Sequence, residues 1–364
     1  MTRFFLLLLF FLIQIYGYSQ ENRKVKFGVA GLTHGHVNWI LSRMEGPNYE
    51  VVGVAEKNDT LVQRLFSRYN IPEKVRFQQL EDMIRETSPD AILAFNSIFE
   101  HLEVVEQCAP MGIHVMVEKP MAVNKKHAIK MARLARENNI LLLTNYETTW
   151  YGTTSRVMEE IQVKKSIGDI RKVVVRDGHP GPREIGVNNE FFVWLTDPVL
   201  NGGGALIDFG CYGANLITKI MKNQKPLSVT AVTQQIKPDI YPDVDDEATI
   251  ILTYPRTQGI IQASWNWPMH RKDMDIYGTE GTVYQFNEYD MELIVDKSKT
   301  RIKTENNDFP LNDPFTYFSA VILKDIKVFP EDLSSLENNL IVVEILDAAR
   351  RSAITGETIV IKDK

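Results

Sequence analysis

The sequence predicts two domains: an α/β unit with a doubly wound parallel sheet, then an α+β unit with a largely antiparallel open sheet. Three observations carry this. Short β-branched runs alternate with helix-period segments from Val25 to Asn145. Beyond Tyr146 the strand candidates follow one another closely. The 364 residues, 44% apolar and 24% charged, have an ordinary folded composition and suffice for about two cores.

Taken in order, Arg3 precedes the apolar run Phe4 to Ile13, and Gly17 and Ser19 stand at −3 and −1 of a cleavage site. This reads as a secretory signal peptide over residues 1–19, too short to span a bilayer, so export to the periplasm and no stable membrane insertion after cleavage are expected. The domains are then assigned to residues 22–146 and 147–364.

In the first domain Val25 to Val29, Val51 to Ala55, Ala91 to Phe95, His114 to Val117 and Leu141 to Thr144 read as strands, with Val75 to Phe77 as a weaker sixth. Leu61, Leu65 and Tyr69, then Leu102, Val105 and Ala109, then Met131, Leu134 and Ala135 mark helix faces between them, the last capped by Asn124. Strand and helix in alternation, joined by short connections, make a Rossmann-like sheet covered on both faces. In the second domain Val173 to Val175, Val229 to Val232, Thr249 to Leu252, Ile260 to Ser264, Met274 to Tyr277, Thr282 to Phe286 and Leu293 to Val295 are strands. A late helix carries Leu336, Leu340, Val343 and Leu346 on one stripe and stops before Gly356.

Charge and cysteine usage exclude several classes. Forty-seven acidic against 41 basic residues give a net charge of −6 with no basic block, which argues against a nucleic-acid partner. Two cysteines, Cys108 and Cys211, make no disulfide framework, and no cysteine or histidine spacing forms a metal cage. A His34 and His36 metal pair is a minor alternative that lacks a visible third ligand.

The first strand runs into Gly31-Leu32-Thr33-His34-Gly35-His36 with a helix starting near Val37. That is the setting in which a dinucleotide pyrophosphate meets backbone amides. Thr33 and His36 occupy the places of the second and third glycines of G-x-G-x-x-G; a plain βα turn is the alternative. Glu56 ends the second strand, where a carboxylate accepts ribose hydroxyls and repels a 2′-phosphate, which favours NAD. The adjacent Lys57 keeps NADP open.

His114-Val-Met-Val-Glu118-Lys119-Pro120 delivers a Glu-Lys pair at a strand's carboxyl end. With Ser166-Ile167-Gly168-Asp169-Ile170, Gly202-Gly203-Gly204-Ala205-Leu206-Ile207-Asp208, Gly278-Thr279-Glu280-Gly281 and Leu346-Asp347-Ala348-Ala349-Arg350-Arg351-Ser352, the mature chain resembles the Gfo/Idh/MocA oxidoreductases. The resemblance implies a nicotinamide on the first domain, a sugar or polyol against the second sheet, and Lys119 between them. It places Asn96, Ser97 and His101 toward the nicotinamide half, beside Glu118. The family's histidine after the triple glycine is replaced by Tyr212.

Oxidising a secondary alcohol needs a group that takes the hydroxyl proton as hydride leaves. Tyr212 is the candidate proton carrier, its phenolate stabilised by Lys119, with Asp208 orienting Lys119 or the substrate. On one helix Asp208, Tyr212 and Asn215 would share a face. Tyr146, His179, Asn266 and Trp267 complete the candidate substrate contacts. The resulting expectation is an NAD(P)-dependent oxidoreductase of a carbohydrate or polyol, with cofactor held tightly by His34 and His36. The alternatives are redox-assisted glycoside cleavage and a non-catalytic sugar-binding protein. A homo-oligomer, dimer or tetramer, is expected because few helices remain to cover the second sheet.

Overall fold

The computed structural model describes residues 23–361; the expected signal peptide lies outside them. Six parallel strands form the first sheet: β1 (Val25–Ala30), β2 (Tyr49–Ala55), β3 (Arg76–Phe77), β4 (Ala91–Ala94), β5 (His114–Glu118) and β6 (Leu142–Asn145). Their order is β3-β2-β1-β4-β5-β6. All four residues of β4 are buried, as a strand between two helical layers requires. The order reverses between β1 and β4, which opens a crevice at their carboxyl ends. Asn124 caps the helix Lys125–Glu137 by accepting the His127 amide at 2.9 Å.

Nine strands form the second sheet: β7 (Ile170–Gly178), β8 (Ser228–Gln234), β9 (Glu247–Thr253), β10 (Gln258–Ser264), β11 (Arg271–Gly278), β12 (Gly281–Gln285), β13 (Asp290–Val295), β14 (Ser298–Lys303) and β15 (Ile359–Val360). Only β7 and β10 pair in parallel; the other neighbours are antiparallel. Alternate residues face a core beneath the helices Gly210–Ile220 and Leu336–Thr355: Val173 and Val175, Ile261 and Ala263, Met274 and Ile276. Their neighbours Val174, Arg176, Ile260 and Asp275 are only partly covered, so among the described residues one face of the sheet lacks a helical layer.

Two features differ from the sequence reading. Strand β14, Ser-Lys-Thr-Arg-Ile-Lys, was not anticipated, because a charged edge strand has no apolar alternation to read. The helix Pro314–Leu323 lies against the first sheet, where Phe318 stacks on Phe27 with ring centroids 5.7 Å apart. The core of the first sheet is therefore completed by residues far beyond 146.

Candidate active site

The two sheets meet at the end of β5. Lys119 Nζ donates to the Asp208 carbonyl at 3.0 Å and to the Asp208 carboxylate. Trp265 Nε1 donates to the second carboxylate oxygen at 3.0 Å. Burial opposes the charge on both groups, but each outweighs it for the other: the Lys119 ammonium is held above its ordinary range and the Asp208 carboxyl below. The triple glycine makes this approach possible. A Cβ on Gly204 would fall 1.7 Å from the Asp245 carbonyl, and the Asp245 carboxylate accepts the Gly204 and Leu206 amides at 2.9 and 2.6 Å.

Tyr212 lies one turn further on, beside a cleft of about 760 Å³. Lys119 Nζ is 5.1 Å and Lys272 Nζ 4.5 Å from its ring centroid. The expected stabilised phenolate is corrected by this geometry. The ammonium groups lie over the ring, while burial, with Glu147, Cys211 and Asp208 nearby, pushes the phenol well above its ordinary range. Tyr212 is a proton donor at neutral pH.

His36 and Glu118 form a second centre. His36 Nδ1 and Glu118 Oε2 are 2.9 Å apart, and Asn145 donates to Glu118 Oε1 at 2.7 Å while accepting from Trp150 Nε1 at 2.9 Å. The His36 ring stacks on Trp39 with centroids 4.0 Å apart. Burial opposes ionisation of Glu118, but His36, His34 and the Asn145 hydrogen bond hold it at about 2. His36 Nε2 faces Glu147 at 4.0 Å, and Glu147 pairs with Lys272 and accepts from Tyr151. Glu147 is likewise held at about 2, Lys272 outweighing burial.

His34, His36 and Glu118 are close enough to share a cation, the third ligand the sequence did not display. The proton inventory opposes it. His34 Nδ1 accepts the His36 amide at 3.1 Å, so its proton sits on Nε2, the atom that would have to bind the metal. The expectation that both imidazoles grip pyrophosphate oxygens is also corrected: they are turned toward a carboxylate of the same charge.

The crevice between β1 and β4 fits a dinucleotide. Gly31 has φ +79°, and a Cβ there would come within 2.7 Å of Asn96 Cβ. Leu32 donates to Glu56 at 2.9 Å and His34 to the Phe95 carbonyl at 2.8 Å. The amides of Thr33 and Gly35 remain without a partner among the described residues. Glu56, Lys57 and Asn96 line an adjoining cavity of about 260 Å³. Ser97 instead caps its own turn with Glu100, and His101, wholly buried, lies under the Met121 carbonyl. Burial takes the His101 imidazole down to about 4.

Of the expected substrate contacts, His179 lines the cleft, its Nδ1 accepting the Gly181 amide at 3.0 Å. Burial lowers it to about 4 and keeps it neutral. Asn215 does not share the cleft-facing stripe. Its amide is buried against Leu333 O and Asn338 Oδ1, both at 2.8 Å. Tyr146 is buried edge-on beneath Tyr212, Asn266 holds the Asp246 carbonyl at 2.9 Å, and Trp267 is covered by the Arg271 guanidinium. Glu147 and Lys272, which also line the cleft, were not singled out from the sequence. Lys272 was legible, since it is in phase with buried Met274 and Ile276.

A dinucleotide-fold domain joined to an open-sheet domain by a buried lysine–aspartate pair defines a nicotinamide-dependent oxidoreductase. The chain belongs to the GFO/IDH/MocA family: residues 25–146 match the oxidoreductase family's NAD-binding Rossmann fold, and residues 156–284 its C-terminal domain. It is 26% identical over 325 residues to trans-1,2-dihydrobenzene-1,2-diol dehydrogenase of Xenopus laevis, covering 85% of this chain and 91% of that one. The fold is similar to aldose-aldose oxidoreductase from Caulobacter crescentus, with TM-score 0.78, 19% identity and 93% and 100% of the two chains covered. It is also similar to an inositol dehydrogenase homolog from Azotobacter vinelandii complexed with NAD+, with TM-score 0.77, 14% identity and 93% and 98% covered. The protein is an oxidoreductase with an NAD-binding Rossmann domain.

Proposed function

We propose that this chain is an exported NAD-dependent oxidoreductase that interconverts a hydroxyl and a carbonyl on a sugar, sugar derivative or polyol. The observation that carries the reading is the Lys119–Asp208 pair, closed between the two domains at the mouth of the cleft. Thr33, Gly35, Glu56 and Asn96 would hold NAD, which supplies the hydride acceptor. Lys119, fixed in position by Asp208, donates to the substrate oxygen, and the Tyr212 hydroxyl donates beside it. Both stabilise negative charge as it develops on that oxygen, in a site largely shielded from water. His179, neutral with Nδ1 engaged, offers Nε2–H to a neighbouring hydroxyl.

We also propose that the cofactor stays bound through many turnovers, since an exported enzyme has no soluble pool to regenerate it. Support comes from the helix Asn189–Leu195 of the second domain, which covers the phosphate loop: Trp194 Nε1 donates to Thr33 Oγ1 at 3.1 Å, and Phe191 lies 4.9 Å from the His34 ring. A homo-oligomer built on the partly covered sheet face completes the proposal; a monomeric mass in light scattering at micromolar concentration overturns that part.

The experiment is to purify the mature chain, identify bound nucleotide by mass spectrometry, and follow NADH absorbance with trans-1,2-dihydrobenzene-1,2-diol, free aldoses and inositols. Nucleotide carried through purification and NADH formation with a member of this set are expected. Absence of both, with no micromolar NAD affinity, rejects the reading; ready exchange with labelled NAD rejects only the retained cofactor.

A further inference from the structure

A second ion pair joins the two sheets across the cleft, with its polarity reversed. In the Lys119–Asp208 pair the first sheet supplies the cation, whereas here Glu147 follows β6 and Lys272 lies on β11. Lys119 Nζ is 5.1 Å and Lys272 Nζ 4.5 Å from the Tyr212 ring centroid, so this pair borders the place where the reacting oxygen would lie. Neither partner is saturated. Lys272 gives one of its three N–H donors to Glu147, and among the described residues the others find no acceptor. The Glu147 carboxylate accepts from Tyr151 as well and keeps lone pairs free. Both side chains line the cleft, Lys272 19% and Glu147 32% exposed. Taking two such charges out of water gains the fold little, since apolar side chains of similar size would stabilise it as well. The buried Asp177 carboxyl stands opposite Lys272 in the strand register, yet neither of its oxygens has a partner, and burial pushes it well above the ordinary carboxylate range. Lys272 thus pairs with the carboxylate that lines the cleft and not with its cross-strand neighbour.

We propose that Glu147 and Lys272 recognise the hydroxyl next to the reacting one, and that the cleft selects uncharged polyhydroxylated substrates over counterparts bearing a carboxylate or phosphate. The inference rests on the oxidoreductase reading. A hydroxyl is both donor and acceptor, so it can donate to the carboxylate and accept from the ammonium of a pair whose charges lie side by side. A carboxylate or phosphate has acceptors only and meets Glu147 as a like charge. The rest of the cleft offers an anion no better place. Among the described residues each lysine and arginine that lines it has its own carboxylate: Lys119 has Asp208, Lys272 has Glu147 and Arg271 has Asp273. His34 and His179 are held neutral by burial, and Glu288 adds an acid. No lysine or arginine is left over for an anionic group, so selection comes from repulsion as well as attraction.

The test compares matched compounds on the unaltered chain with NAD, by NADH absorbance and by calorimetry. D-glucose is set against D-glucuronate and glucose 6-phosphate, myo-inositol against myo-inositol 1-phosphate, and trans-1,2-cyclohexanediol against cyclohexanol. Each neutral compound that is oxidised should exceed its anion, and the diol the mono-alcohol, by about 10- to 100-fold in kcat/KM, the worth of one hydrogen bond to a charged group. A double variant then asks whether the pair is responsible. Glu147→Gln keeps the side-chain shape, and Asp177→Asn stops the buried carboxyl from replacing the lost charge. KM for the neutral substrate should rise about tenfold with a smaller change in kcat, and glucuronate should gain on glucose by about as much, because Lys272 is then an unpaired cation. A purely structural pair would weaken both compounds alike. Anions or the mono-alcohol used as well as their partners by the unaltered chain, or an unmoved ratio in the variant, overturns the proposal and leaves the oxidoreductase reading standing. If the unaltered chain oxidises none of the neutral compounds, that reading falls instead and calorimetry judges the pair. Anions bound as tightly as glucose and inositol, or no binding of any of them, then overturns it.

Discussion

The two walls of the cleft are built differently. The wall from the first domain, His34, His36, Glu118 and Lys119, comes from two short runs at the carboxyl ends of β1 and β5, and each run is contiguous in sequence. The wall from the second domain, His179, Asp208, Tyr212, Trp265 and Lys272, is gathered from β7, β10, β11 and a helix pair by strand register. A parallel sheet places function at strand ends, where a motif can be read directly. The mixed open sheet also places it at strand ends, those of β7 and β10 and the start of β11, but these strands are far apart in sequence, so the reader must know which strands are neighbours.

The largest effect should come from cutting the bond that joins the walls. Lys119→Met is expected to lower turnover by about 10³-fold or more. It also strands the Asp208 carboxylate and should cost on the order of 3–5 kcal/mol of stability, read by denaturant unfolding. The double variant with Asp208→Asn should recover much of that stability and none of the activity. A Lys119→Met enzyme that turns over normally breaks the assignment; stability losses that simply add break the coupling between the walls.

Acid sensitivity comes next and is shared by the two walls. His101 and His179 are held at about 4 against an ordinary 6.5, and His34 well below it, in each case chiefly by burial. The unfolded chain therefore binds more protons than the folded one in this window. Stability is full above about pH 6.5 and declines as pH falls toward 4. His101→Met should flatten that decline. The Glu118 contribution lies lower, complete above about pH 4.5 and lost as pH approaches 2. A thermal midpoint that does not move between pH 7 and 4.5 contradicts the buried neutral histidines.

These contrasts also explain what the sequence disclosed. The doubly wound sheet and the Asn124 cap were legible because they rest on local periodicity and a local cap, and the Lys119–Asp208 pair, 89 positions apart, because each partner sits in a contiguous motif that the family resemblance brings together. Asn215 was misplaced because counting i, i+4, i+7 ignores which face meets the helix Leu336–Thr355. The Tyr212 phenolate was misjudged because burial, which opposes the charged form, cannot be seen in spacing. The link from His36 to Glu118 spans 82 positions and depends on β1 and β5 ending side by side around β4.

A smaller effect is expected at the adenosine end of the first wall. Gly31→Ala forces a side chain to φ +79° and against Asn96, costing about 1–3 kcal/mol. NADH binding should weaken while the Lys119–Asp208 pair is untouched, so kcat at saturating NAD should stay near that of the unaltered enzyme. A fall in kcat without a change in NADH affinity would show that the loop shapes the cleft rather than the dinucleotide crevice.

The smallest effect calibrates the others. Asn124 accepts the His127 amide at the start of a helix that runs beside Leu336–Thr355, outside the cleft and outside the crevice. Asn124→Ala removes one cap and leaves one amide to water, a loss of about 1 kcal/mol. Because the cap joins residues three apart, its loss should not pass to either wall, and kcat, NADH affinity and the pH dependence should all be unchanged. If this substitution moved kcat, the helix beneath β5 would be positioning Lys119, and even the contiguous wall would depend on packing far from its own motif.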